Sequence, residues 1–243
     1  MGSTNREKTF RIRIRETIAT LICEEKYYPM AREEILTQRR HIEATIRGCP
    51  AFAVSMQPLA VDPGAPAIVT RMAAAAQSTG TGPMSAVAGA IAEFTIRRLK
   101  SAGARHAIMD NGGDIALLIN RPVLVGIYAG DSPCGNLGLR ILPSPGILGV
   151  CTSSGRVGHS ISLGCAHAAV VVAGNVSLAD AAATSLGNAI RGNGTDHLRE
   201  VLSTHLTEDL ETVMVVVDDQ TAWAGRPPDF VRVAEDIGAI SAY

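Results

Sequence analysis

The sequence predicts an α+β fold, a mainly antiparallel sheet packed with helices. Three observations carry that expectation. Residues 9–23, TFRIRIRETIATLIC, alternate polar and apolar side chains, the period of half-buried strands or a hairpin. Residues 67–103 are Ala-rich and read as two helices around a glycine interruption. From residue 105 the short apolar runs HAIMD, DIALLIN, PVLVGIYAG, LGLRIL and ILGVCTS are separated by Gly, Asn and Pro. That is the pattern of an antiparallel meander. Helices grouped around such a sheet favour a single α+β domain over residues 1–243.

The remaining elements follow in chain order. Met30, Ile35, Ile42 and Ile46 fall at helical spacing among charges, which predicts an amphipathic helix ending at Gly48. FAVSMQPLAV is expected as a strand and VDPGAP as a turn. STGTGPM breaks the Ala-rich run, and Pro83 suits the first turn of the helix that follows. Ala86, Gly89 and Ala90 give that helix a small-residue face, which permits close backbone packing or close approach of a ligand. AHAAVVVAG reads as a buried strand, SLADAAATSLGNAI and TDHLREVLSTHL as helices, and TVMVVVDD as a last core strand.

Composition narrows the classes of function. Hydrophobic residues make up 47% of the chain but aromatics only 4%, so Ala, Val, Ile and Leu must build the core. A formal charge of -1 provides no global field for nucleic acid or an acidic membrane. Arg11, Arg13 and Arg15 alternate along a strand and read as a solvated face. The five cysteines include no CxxC pair, which argues against a zinc site or a disulfide framework. Free thiols suit a reducing cytoplasm, and no apolar stretch approaches the length of a membrane span. The expectation is a cytoplasmic protein without nucleic-acid or membrane partners, whose apolar sheet and Ala-rich helices permit a homodimer.

Three stretches could carry chemistry. In DNGGDIALL, residues 110–118, Asn111 and two glycines can take positive φ, so a tight turn explains them. Asp114, beside Gly113, either accepts turn amides or faces a pocket. In SLADAAATSLGN, residues 177–188, Ser177 and Asp180 fit a capping box. Asp180 and Thr184 nevertheless share one helical face with only alanines between them, and their oxygens could hold Mg2+ near a phosphate. In GVCTSSGRVGHS, residues 149–160, Cys151 could be a nucleophile with His159 as its base. Alternatively Thr152, Ser153, Ser154 and Gly155 form an anion nest to which Arg156 adds charge.

Taken in this order, GGDI, TSSG with a histidine after it, and ADAAAT resemble the ApbE-like superfamily. FRIRIRET, GPMSAVAGAIAE, DNGGDIAL, VGIYAG, GVCTSSGRVGHS and ADAAATSLGN together resemble a family of unassigned function within it, over most of residues 10–190. The best-known members are the FAD:protein FMN transferases, which use Mg2+ and FAD to attach FMN to a target protein. The resemblance implies an ApbE-like, T-fold-related architecture with the site between the sheet and the ADAAAT helix. It implies Asp180 and Thr184 as Mg2+ ligands, with a carbonyl near Ala88 as a third donor. Asp114 matches the GGD aspartate, and Thr152, Ser154 and Gly155 match a TSG turn.

The departures are specific. After His159 the chain reads SISLGCAHAA with no DPxTG, and Ala88-Gly89 stands where a lysine-glycine pair is expected. The metal half of the pattern is better preserved than the catalytic half. The leading expectation is an ApbE-like protein that binds a phosphorylated ligand (FAD, FMN or another nucleotide) with Mg2+, as a transferase acting on a target protein. Two alternatives stand beside it: a sulfur-handling protein with a reactive Cys151, and a non-catalytic ligand-binding subunit.

Overall fold

The structure, a computed structural model, describes residues 7–130, 132–134, 136–154, 164–233 and the backbone of 240–242. Strands β1 (Glu7–Ile14) and β2 (Thr17–Glu24) form the hairpin that the alternation predicts, in register from Glu7↔Glu24 to Ile14↔Thr17. Ile12, Ile14, Ala19 and Leu21 enter the core, while Arg11, Arg13 and Arg15 remain exposed. Helix α1 (Tyr28–Gly48) ends at the expected glycine and buries Ile35 and Ile42.

The expected strand over FAVSMQPLAV is not formed. Ala51–Val54 make one helical turn, α2, and no strand follows through residue 61. Phe52, only 1% exposed, anchors the turn in the core. The Ser55 carbonyl then sits so close to Gly82 that a Cβ there would be 1.7 Å away. Docking of this backbone against a distant glycine outweighs the local β pattern.

Helices α3 (Ala67–Thr79) and α4 (Val87–Ser101) flank the glycine interruption. Gly80, at φ 68°, closes α3 with the left-handed geometry that glycine adopts readily. Pro83 opens a short 3-10 turn leading into α4.

Six strands and two helices complete the first sheet and its helical cover. They are β3 (Ala107–Asp110), β4 (Asp114–Leu118), β7 (Leu148–Ser153), β8 (Ala168–Ala173), helices α5 (Val176–Ala189) and α6 (Thr195–His205), and β9 (Thr212–Val217) and β10 (Gln220–Gly225), with β5 (Val123–Gly126) and β6 (Leu137–Ile141) between β4 and β7. Eight strands run β1-β2-β3-β4-β7-β8-β9-β10, every pairing antiparallel. A simple meander would have paired β4 with β5. Instead β5 and β6 leave the sheet and join β11 (Phe230–Arg232) and β12 (Ile240–Ala242) in a second sheet, ordered β11-β6-β5-β12.

The reason lies in the central strands, which are apolar on both faces. On β4, Ala116 and Leu118 pack towards the helices, whereas Ile115 and Leu117 pack with Val123, Val125 and Leu139 of the small sheet. Strand β8 divides likewise, with Val171 on the helical side and Val170 and Val172 on the other. A sheet hydrophobic on both faces needs two covers, and the β5–β6 hairpin provides the second. On the first face α5 lies directly on β7: a Cβ at Gly149 would meet the Val176 Cα at 2.8 Å. Among the described residues, no helix is long and apolar enough to cross a membrane.

Candidate functional site

Strand β3 leads into the turn Asp110–Gly113. Gly112 and Gly113 take φ values of 77° and 101°, which favour glycine; Asn111 is not among the positive-φ residues. Asp110 serves the turn, since its Oδ1 accepts a hydrogen bond from the Gly113 N–H at 2.8 Å. Asn111 does something the sequence did not signal. Its side-chain amide donates to the Ala88 carbonyl at 3.0 Å, tying the turn to the start of α4. The turn delivers Asp114 at the first position of β4, on the helix-facing side and paired with Cys151 of β7.

The start of α5 differs from the capping-box expectation. Asn175 is the cap, accepting from the Leu178 N–H at 3.1 Å. Asp180 instead turns to the neighbouring helix, where its Oδ2 accepts from the Gly89 N–H at 2.7 Å. Gly89 permits the approach: a Cβ there would lie 2.7 Å from the Asp180 Cβ. The small-residue face therefore serves close helix packing, with Asp180 as the group that approaches.

These elements enclose a cavity of about 560 Å³, within the range of small-molecule sites. One wall holds Asp180, Thr184 and Ala88; another holds Gly113 and Asp114; a third is the end of β7, with Thr152, Ser153 and Ser154. Residues for which the sequence suggested no site role complete the mouth. Glu16 and Ile18 come from the β1–β2 hairpin and Tyr128 from beyond β5, with Ile18 and Tyr128 strongly exposed. Only the pairing of distant strands could have placed them there.

The electrostatics are unusual for carboxyl groups. Burial pushes Asp114 well above the ordinary carboxylate range, and the charge of Asp180 beside it adds to the effect. Burial raises Asp180 to about 7, held back by the hydrogen bond from Gly89. The two carboxyls lie within hydrogen-bonding reach of each other, so their repulsion is relieved by a proton between them or by a cation. A hard dication suits this donor set, which is made of carboxylate, hydroxyl and carbonyl oxygen. The Ala88 carbonyl keeps a lone pair beyond the one used by Asn111. Among the described residues no group of three His, Cys, Asp or Glu is clustered to hold a metal ion, so hydroxyl and carbonyl oxygens would have to complete the set.

The thiol of Cys151 stands against the nucleophile expectation. Its side chain is 0% exposed and lies 3.6 Å from the Val176 carbonyl, which its thiol can reach as a donor. Burial raises its pKa well above the ordinary thiol value, and the charges of Asp114 and Asp180 raise it further. A thiolate is the reactive species, and this setting opposes it. Iodoacetamide at pH 8 should therefore modify Cys151 at least about 10-fold more slowly in the native protein than in urea, read by peptide mass spectrometry. Equal rates would restore the thiol as a candidate. His159, Gly155 and Arg156 lie outside the described residues.

A family model described as "AbpE bacteria" matches residues 4–224. The chain belongs to that family. This AbpE-family chain is 44% identical over 239 residues to a UPF0280 protein of Methanocella arvoryzae, covering 96% of this chain and 95% of the relative. A UPF0280 protein of Methanococcoides burtonii is 43% identical over 222 residues, covering 90% and 93% respectively. Among solved structures, the apo flavinyl transferase ApbE of Pseudomonas stutzeri superposes with a TM-score of 0.60 at 14% identity, over 93% of this chain and 96% of that one. A point mutant of the flavin transferase ApbE from Vibrio cholerae gives 0.55 at 12% identity, over 90% and 97%. At such identities the likeness is one of fold: the AbpE-family chain has the α+β architecture of the ApbE structures.

Proposed function

We propose that this chain binds a phosphorylated ligand, a flavin or other nucleotide, together with Mg2+ in the cleft between β4, β7 and α5, and acts as an ApbE-like transferase. One observation carries the reading: Asp114 and Asp180 face each other, buried, beside Thr184 and the hydroxyl-rich end of β7. A phosphate needs donors and a counter-charge, and the cleft offers a place for each. Family membership and the shared fold support the same reading.

Asp180 and Thr184 would hold the cation, with the Ala88 carbonyl and Asp114 as neighbouring oxygens. Bound there, Mg2+ would supply neutralisation of charge on a pyrophosphate. The hydroxyls of Thr152, Ser153 and Ser154 donate to phosphate oxygens, and Asn111 keeps the Ala88 carbonyl in place. In transfer, an acceptor hydroxyl oxygen bonds to phosphorus while the bridging pyrophosphate oxygen leaves with the nucleoside monophosphate. The hydroxyl proton passes to His159 as general base.

Calorimetric titration with FAD, FMN and ADP, each with and without Mg2+, tests the binding step. FAD and ADP should bind in a Mg2+-dependent manner. Absence of binding by all three in Mg2+ would overturn the proposal. For the transfer step, release of AMP from FAD in the presence of a hydroxyl acceptor should be lost in His159→Ala while Mg2+-dependent binding is kept. Binding without any AMP release by the intact protein would leave a ligand-binding subunit and refute the transferase.

A further inference from the structure

Glu93 takes no part in the cleft, yet it is among the most deeply buried charged residues, 1% exposed in the middle of α4. Both of its oxygens are fully engaged. Oε1 receives Arg71 of α3 at 2.8 Å and Arg97, one turn further along α4, at 2.7 Å. Oε2 accepts the Ser177 N–H at 3.0 Å and the Ser177 hydroxyl at 2.7 Å. Ser177 lies in the first turn of α5, where backbone N–H groups lack partners within their own helix. A carboxylate there also meets the positive end of the helix dipole.

The second rung of the same contact is the bond from Gly89 to Asp180. Gly89 and Glu93 are one turn apart on α4, and Asp180 and Ser177 are one turn apart on α5. Each helix thus sends a carboxylate to the N-terminal turn of the other, Glu93 to α5 and Asp180 to α4. The two rungs together define the position of α5 along and around α4. Removing either one leaves a single pivot. Because Asp180 has already been pulled to a backbone N–H by one oxygen, its direction depends on the rung that Glu93 makes.

We infer that Glu93, braced by Arg71 and Arg97, is a positioning residue that aims Asp180 and Thr184 into the cleft. As a statement about the cation site this rests on the Mg2+ reading above, but the coupling of Glu93 to Asp180 is a property of the chain alone. The rest of α4 separates the effect from ordinary core stability. Leu99, 0% exposed on the same helix, contributes packing without touching α5's first turn through a hydrogen bond.

Two measurements test it. In the metal-free protein, urea unfolding of Glu93→Gln, Asp180→Ala (which deletes the acceptor for the Gly89 N–H) and the double variant forms a cycle. Non-additive shifts of the midpoint are expected, and additivity would overturn the inference. Second, Mn2+ binding is followed by electron paramagnetic resonance at 20 °C, on variants whose circular dichroism at that temperature matches that of the intact protein. Glu93→Gln should weaken Mn2+ binding about 10-fold or more and alter the spectrum of the bound ion, as loss of an orienting partner does. Leu99→Ala should lower stability and leave both unchanged. Equal Mn2+ affinity in Glu93→Gln and the intact protein would overturn the inference while sparing the Mg2+ site. If the intact protein binds no Mn2+, the cation site itself falls, and the metal-free cycle alone decides whether Glu93 positions Asp180.

Discussion

Asp180→Asn should abolish Mg2+-dependent ligand binding and, at pH 8 without metal, make the protein more stable. Both effects come from one charge. The Asp180 carboxylate is buried opposite Asp114, and burial raises it to about 7, so at pH 8 the folded state must carry an anion that it disfavours. Asparagine keeps an oxygen to accept from Gly89 and replaces the second oxygen with an amide that can donate to Asp114. The charge penalty disappears with the geometry preserved. Each kcal/mol relieved should raise Tm by about 2–4 °C in a chain of this size. The same substitution removes the carboxylate that we propose as the anionic Mg2+ ligand, and on that reading the loss in Mg2+ affinity should exceed the roughly 10–100-fold typical of losing an outer partner. Scanning calorimetry and Mg2+ titration read the two effects separately. A variant no more stable at pH 8, or one that keeps Mg2+ binding, would contradict this account of the site.

The metal-free protein should lose stability as pH rises from about 5.5 to 8, and Mg2+ should restore it. The sign follows from proton counting. Asp114 and Asp180 have folded values above their unfolded 3.8, so between 3.8 and the folded values the native state holds protons that the unfolded state has released. Stability therefore falls with rising pH across that window, and for Asp180 the penalty is complete above about 7. His106 works in the opposite direction: burial lowers its pKa from 6.5, so its contribution is lost as pH falls below that value. The difference between the intact protein and Asp180→Asn isolates the carboxylate effect. That difference should be small at pH 5.5, where Asp180 is already protonated, and large at pH 8. Mg2+ should raise Tm more at pH 8 than at pH 5.5, because cation binding displaces the protons that acid supplies. A Mg2+ response that is equal at the two values would argue against a site built on these carboxyls.

Much of this molecule can be read from local pattern. Alternation in TFRIRIRETIATLIC sets the hairpin, the spacing of Ile35 and Ile42 sets α1, and the glycine break after Thr79 divides α3 from α4. Periodicity reports which face of an element is apolar, and that information is local. The described parts of the three stretches that stood out for their chemistry meet at one cavity, since each places a polar group at the end of a strand or on a small-residue helix face.

Other features depend on what the chain meets at a distance. FAVSMQPLAV carries a strand-like pattern, but the close approach of Ser55 to Gly82 and the burial of Phe52 settle it otherwise. DIALL and VLVG read as successive strands of one sheet, yet the second apolar face of β4 draws β5 and β6 into a cover. Ser177 and Asp180 spell a capping box, but stronger partners lie across the helix interface, at Glu93 and Gly89. Cys151 has the neighbours of a reactive thiol in sequence and the burial of a core residue in space. The sequence by itself determined most of the elements and which groups could react, because propensity and period act over a few residues. The tertiary structure alone decided which faces are covered, which carboxyls confront each other and which helix receives each cap, because burial and charge are set by neighbours far along the chain.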